Sequence, residues 1–176
     1  MEMDDKWIID FLNKTKVGHI STQDNAQPFI NPSSFFYDAN RHEIYFHSNA
    51  YGRMRFNAGK NPKVCFEGFR SGHLLPSNLA LEMSFQYKCV IVFGRIRVIN
   101  PMTEKRKILN GLLDKYFIEM ESGKDFRPIT DEELKQTSVY GIEINSWSGK
   151  KNWEEKAEQA EEGEWPDLDL KWFEMY

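Results

Sequence analysis

Residues Ile44–Glu67 read IYFHSNAYGRMRFNAGKNPKVCFE, two strand-like runs joined by a polar connection. Ile44 and Phe46 alternate with Tyr45 and His47, the period of a half-buried strand, and Val64 and Phe66 share one side of a second run that starts at Lys63. The connection between them suits an anion. Ser48 offers a hydroxyl, Gly52 lets backbone come close to a ligand, and Arg53 and Arg55 carry forked cationic donors that match phosphate oxygens. A Gly-Arg pair after a strand is more often an ordinary turn with a solvated cation, so the phosphate reading depends on the rest of the chain.

Upstream, Asp5–Lys14 puts Trp7, Ile8, Phe11 and Leu12 on one face, which predicts a short amphipathic helix. Val17–Thr22 and Phe29–Tyr37 read as strands separated by the turn-rich QDNAQP, and YDANRH turns the chain into Ile44–His47. Downstream, Lys63–Gly68 and the long run Ser84–Ile99 continue the meander, with Gly94 the expected site of a bulge. Asn100-Pro101 stops that strand. Thr103–Tyr116 then gathers Ile108, Leu109, Leu112, Leu113 and Tyr116 on one helical face, and Thr130 to Glu133 has capping-box spacing ahead of a second short helix. Val139–Asn145 alternates as a last strand. The expected fold is mainly β with peripheral α-helices, a six-stranded antiparallel barrel.

A chain of 176 residues with 40% hydrophobic and 14% aromatic residues can bury a substantial core in one domain. That domain is expected over residues 1–150, with 151–176 an acidic and aromatic extension. The extension holds Trp153, Trp165, Trp172, Phe173 and Tyr176, too many aromatics for a disordered tail, and docking on its own domain or on a second subunit is expected. Basic minus acidic residues is 23 minus 27, or −4; Glu154–Glu164 holds six Glu and one Lys, or −5, so the remainder is near +1. Neither part has the footprint of a nucleic-acid binder. Apolar runs such as Cys89–Phe93 are too short to span a bilayer, and the acidic start MEMDDKWIIDFL does not read as a signal peptide, so a cytoplasmic protein is expected. Cys65 and Cys89 show no metal-ligand spacing and are expected reduced and buried; His19, His42 and His73 lack ligand partners, and no metal is expected. Ser33-Ser34 lacks the elbow of a serine hydrolase.

The succession of a helix, GHIST, QPFINPSSFFYD, EIYFHSNAYGR, KNPKVCFE, YKCVIVFGRIRVI and MTEKRKILNGLLDKY resembles the FMN-binding split barrels related to pyridoxamine 5′-phosphate oxidase, and among them the nitroimidazole-resistance (Nim) proteins. The resemblance runs from Trp7 to Lys150. It implies a split barrel that binds FMN as a homodimer, each flavin lying in a groove between subunits. Phe29, Ile30, Asn31, Pro32, Ser33 and Ser34 would run along the flavin ring and bond its pyrimidine edge through their backbone. His47 and Ser48 would lie by the ribityl-phosphate, with Gly52, Arg53 and Arg55 at the phosphate and Arg53 its main cation. Cys89 would contact the flavin, and Trp147 would reach it, across the dimer. His47 is the expected catalytic residue, its imidazole titrating near neutrality and able to pass a proton. The family reads Gly-Arg-Lys where this chain has Gly52-Arg53-Met54, which removes one expected cation. The basic residues that hold pyridoxamine phosphate in true oxidases are not evident after Trp147. Vitamin B6 oxidation is thus not the expected activity, and the resemblance to the Nim proteins implies reduction of a nitroaromatic or other small electron-poor acceptor, in a cleft lined by Phe35, Phe36 or the tail aromatics. The alternative is a flavin- or haem-binding carrier or sensor without turnover.

Overall fold

The computed structural model describes residues 2–175; Tyr176, one of the tail aromatics, lies outside them. Among these residues are seven strands: β1 (Glu2–Met3), β2 (Val17–Asp24), β3 (Gln27–Asp38), β4 (Glu43–Asn49), β5 (Lys63–Leu75), β6 (Ser84–Ile99) and β7 (Thr137–Asn152). Six of them close a ring in the order β7-β4-β3-β2-β5-β6, with β6 pairing back onto β7, and every pairing is antiparallel. β1 adds two residues to the flank of β7. The expected six-stranded antiparallel barrel is present, and the register of β6 on β7 shifts between Phe93 and Gly94. Glycine is required at that bulge because a Cβ on Gly94 would lie 2.4 Å from the Glu143 carbonyl oxygen.

The interior is filled by alternate residues of the ring, including Ile20, Phe35, Ile44, Phe46, Phe66, Val92, Tyr140 and Ile142. Phe35 meets Phe66 edge-on with centroids 4.7 Å apart, and Phe46 stacks on Tyr140 at 4.8 Å. Removing each such side chain from water contributes roughly 1.5–3 kcal/mol. α1 (Asp5–Lys14) buries Ile8, Phe11 and Leu12 in this core and is started by Asp4, which accepts the Trp7 N–H at 2.8 Å.

Two features depart from local pattern. β4 is buried on both faces from Glu43 to Phe46 instead of alternating. The reason is α3 (Met102–Tyr116), which lies outside the ring and packs Ile108 with Tyr45, Ile99 and Val139 in a second core. The connection after β4, read as a polar loop, holds α2 (Arg53–Lys60), whose buried residues are Met54, Asn57 and Ala58. Their i, i+3, i+4 spacing was the available signal. α4 (Asp131–Gln136) carries the expected capping box between Thr130 and Glu133, and α5 (Lys171–Met175) closes the described chain.

The ring is split along one seam. β3 pairs with β2 from Gln27 to Ser34 but with β4 only from Phe35 to Asp38. The extension after β7 docks on the β5–β6 hairpin of its own chain: Ser77 donates to the Glu158 carbonyl at 2.6 Å, Gln86 to that of Glu154 at 2.8 Å, and Asn78 to that of Pro166 at 3.0 Å.

Candidate functional site

The split leaves one edge of β3 without a strand partner. Phe35 turns both its N–H and its C=O to the Tyr116 hydroxyl, which also bonds the Lys16 carbonyl at 2.5 Å on the β2 side. Backbone groups alternate sides along a strand, so those of Ser34, Pro32 and Ile30 face the opposite, open side. Proline has no N–H to offer a neighbouring strand, and Pro32 occupies one of these edge-facing positions. Asn31 and Ser33 bond locally, to the Pro32 carbonyl at 3.0 Å and to the Ser34 carbonyl at 3.0 Å, and Phe29 packs against the core.

The end of β4 and the start of α2 bring further polar groups near this seam. Ser33 Oγ lies 3.5 Å from the His47 carbonyl, at the point where β3 and β4 part. The His47 side chain is exposed, yet the protein crowded around its ring lowers its pKa from the ordinary 6.5, favouring neutral imidazole. The Ser48 hydroxyl is engaged internally, 2.9 Å from the Tyr140 hydroxyl and 3.0 Å from the Asn49 carbonyl. Gly52 caps α2 at φ 122°, in the region that favours glycine, and among the described residues no side-chain cap bonds the start of the helix. α2 is tied to the barrel by Asn57, which donates to Thr22 at 3.0 Å, while Asn57 Oδ1 is buried without a partner among the described residues.

The two arginines differ. Arg53 is half-exposed and 3.9 Å from Asp24, a loose pair that leaves donors available. Arg55 lies back along α2, its Nη1 3.4 Å from where a Cβ on Gly59 would stand, and would have to swing to reach the start of the helix. Met54, the position of the missing family lysine, is 5% exposed and packs in the barrel core. The substitution therefore removes no cation from the exposed face of α2.

Cys89 and Trp147 stand apart from this cluster. Cys89 lies on the outer face of β6, separated from β3 by β5 and β2, three strand spacings or roughly 14 Å. It is half-buried, as is Cys65, rather than fully buried as expected. Burial, with help from the Glu67 carboxylate, pushes the Cys89 thiol up to about 11, so it is a neutral thiol. Trp147 donates to Asp5 at 2.8 Å and packs on Tyr37 and His42, with centroids at 5.6 and 4.6 Å. Its ring is engaged within its own subunit. Phe35 belongs to the core and cannot line a cleft; Phe36 lines one, but on the α3 side.

Two cavities lie elsewhere. One of about 830 Å³ sits between α3 and β3–β4, where its lining residues Arg41 and Glu104 pair at 2.9 Å. Another of about 610 Å³ lies under the docked extension, between Leu75, Phe85 and Trp172. On the outer face of β2, β3, β5 and β6, Val17, Ile30, Phe69 and Phe93 are exposed, with the His19–Glu67 pair between them, and such apolar residues suit cover by another chain.

The pyridoxamine 5′-phosphate oxidase family model matches residues 4–151. No curated protein gives a significant match. Among solved structures, the flavocytochrome Anf3 from Azotobacter vinelandii is similar at 21% identity and TM-score 0.77, covering 90% of this chain and 72% of that one. The FAD and heme binding protein from Mycobacterium smegmatis is similar at 20% identity and TM-score 0.75, over 96% of this chain and 76% of that one. A protein provisionally named for 5-nitroimidazole antibiotic resistance, from Bacteroides thetaiotaomicron, is similar at 20% identity and TM-score 0.69, over 85% of each chain. At these identities the likeness is one of fold.

Proposed function

The chain belongs to the pyridoxamine 5′-phosphate oxidase family, and on that premise we propose that it is a flavin-dependent oxidoreductase holding an FMN unit along the open edge of β3. The observation that carries this reading is an unpaired strand edge at Ile30–Ser34 flanked by the end of β4, where the His47 carbonyl lies 3.5 Å from Ser33, and by Arg53 in the first turn of α2, 3.9 Å from Asp24 on the neighbouring β2. The strand edge suits the donor and acceptor pattern of a flavin pyrimidine edge, and Arg53 its phosphate. A bound flavin supplies the redox chemistry, and the protein supplies binding, orientation and control of access.

His47, neutral at physiological pH, would hydrogen-bond the ribityl-phosphate or hand a proton to an acceptor stacked over the ring. Cys89 and the exposed aromatics of the outer face would meet the flavin of a second copy, in keeping with a homodimer, while the extension that begins at residue 151 braces the β5–β6 hairpin through Glu154, Glu158 and Pro166. The electron acceptor is a small electron-poor molecule of the nitroimidazole kind. A second reading, a flavin- or haem-binding carrier or sensor, takes support from the two similar structures named for heme or cytochrome.

The test is the visible spectrum of the purified protein before and after addition of FMN, with gel filtration, followed by anaerobic reduction and mixing with a nitroimidazole. Flavin bands that co-elute with protein and an acceptor-dependent return of the oxidised spectrum are expected. Flavin retained without reoxidation by any acceptor selects the carrier reading. A protein that takes up no flavin overturns both flavin readings.

A further inference from the structure

One end of the barrel gathers positive charge that the flavin reading leaves unused. Arg70 on β5 stands directly opposite Lys88 on β6, and Lys88 directly opposite Lys151 on β7. Side chains paired in this way share a face with their Cβ atoms roughly 5 Å apart, and like charges so placed repel. Phe69, Cys89 and Lys150, each one residue away along its strand, belong to the outer face, so the cationic row points to the opposite side, towards α1. There Arg70 and Lys88 line a cleft of about 200 Å³ with Trp7, Asp10, Phe11 and Lys14 of α1. Asp10 brings the only carboxylate, and Lys14 already holds it at 2.8 Å. Lys88 stands with its ammonium 4.4 Å from the centroid of Trp153, at the start of the extension. Among the described residues Arg70 has no side-chain hydrogen bond or ion pair, and Lys88 has no acidic partner.

Three cations and one carboxylate leave the cleft at +2 in a chain whose net charge is −4, so the charge is local and not part of a basic surface. A forked guanidinium flanked by ammonium groups is the chemistry that holds a phosphate dianion. The cleft is smaller than the roughly 300–1,000 Å³ of sites that enclose a drug-sized ligand. It has room for a phosphate with a few carbon atoms attached, and not for a nucleotide. We propose that this cleft, apart from the groove along β3, binds the phosphate of a small phosphomonoester between α1 and the β5–β6 hairpin. Arg70 and Lys88 bond the phosphate oxygens, and the stacked rings of Trp7 and Phe11, 5.2 Å apart, border the carbon part. The opposed cations are tolerated because the anion that neutralises them comes from outside the chain.

The experiment is thermal melting of the full-length protein in sodium phosphate, in sodium glycerol 3-phosphate and in sodium chloride of equal ionic strength, for the wild type, Arg70→Ala and Arg53→Ala. A ligand that binds only the folded state raises the melting temperature. Both phosphates are expected to raise that of the wild type and of Arg53→Ala above its value in chloride. In Arg70→Ala titration calorimetry should find glycerol 3-phosphate bound about ten- to a hundredfold more weakly, the loss of one charged hydrogen-bond partner. In chloride alone Arg70→Ala is expected to melt no lower than the wild type, because repulsion is relieved and no contact is lost. Absence of a phosphate-specific shift in the wild type overturns the inference. So does a shift that survives in Arg70→Ala or disappears in Arg53→Ala, since the anion then sits elsewhere or at the start of α2. An Arg70→Ala protein that melts well below the wild type in chloride overturns it too, because Arg70 then has a partner within the fold. A response to inorganic phosphate without one to glycerol 3-phosphate does the same, the cleft then closing on a bare ion.

Discussion

The Tyr116 hydroxyl lies 2.9 Å from both the amide nitrogen and the carbonyl oxygen of Phe35. The last residue of α3 thus holds β3 where it passes from β2 to β4, next to the open edge. Burial raises the pKa of the phenol, so it stays protonated and can both accept from the Phe35 N–H and donate to a carbonyl. Tyr116→Phe strands these backbone groups and is expected to destabilise the protein by about 1–3 kcal/mol. The same variant should bind flavin more weakly because the β3 edge loses its anchor. Urea denaturation and FMN titration of one preparation check both outcomes.

Arg53→Ala removes an exposed charged donor and should weaken flavin binding about ten- to a hundredfold with little effect on stability. Met54→Lys should behave in the opposite way. Restoring the family lysine places a charge at a core position, so the variant is expected to lose about 2 kcal/mol or more of stability and to gain no affinity. Parallel melting curves and flavin titrations separate the two sites; a Met54→Lys protein that is as stable as wild type and binds FMN more tightly would show that position 54 faces the ligand.

Phe93 is 56% exposed on the outer face of β6, beside Cys89 and Phe69. If a second copy covers that face, Phe93→Asp should convert the dimer to monomer in analytical ultracentrifugation without unfolding it. Flavin affinity should fall in the same variant, because the groove is then built from one subunit only. A dimer that survives the substitution would place the interface elsewhere.

Lys115 donates to the Leu12 and Thr15 carbonyls at 3.0 and 2.8 Å, with its ammonium 3.9 Å from the Phe35 ring centroid. Burial depresses its pKa from 10.5 to about 8. In the unfolded chain the amine keeps its proton up to about 10.4, so between these values the unfolded state binds more protons and stability rises with pH. Below pH 8 both states carry the charge and the folded state bears the full burial cost. The difference in stability between wild type and Lys115→Met, followed from pH 7.5 to 10.5, is therefore expected to shift in favour of wild type as pH rises; a constant difference would mean that the ammonium is well solvated.

Much of the barrel was legible because its signals are local. Alternation placed Ser84–Ile99 to the residue, and Thr130 with Glu133 announced α4, but Lys63–Gly68 stopped short of the strand end at Leu75 and Val139–Asn145 short of that at Asn152. Burial of Tyr45 could not be read from β4 itself, since the cover comes from α3, more than fifty residues later. α2 was passed over because Arg53, Arg55, Asn57, Gly59 and Lys60 make up most of it and one of its three inward residues, Asn57, is itself polar.

At the candidate site the division follows the same line. The sequence by itself determined which chemistry is available: a histidine and serine at a strand end, a glycine that admits positive φ, two arginines and a free pair of cysteines. Tertiary structure alone decided which of these meet. It opened the edge of β3 by ending its pairing with β4 at Phe35, turned Met54 inward and Arg53 outward on one helix, spent Trp147 on Asp5, and left Tyr51 in solvent. Strand pairing and helix facing depend on contacts between residues far apart in the chain, whereas period and capping depend on neighbours, and only neighbours can be read along a sequence.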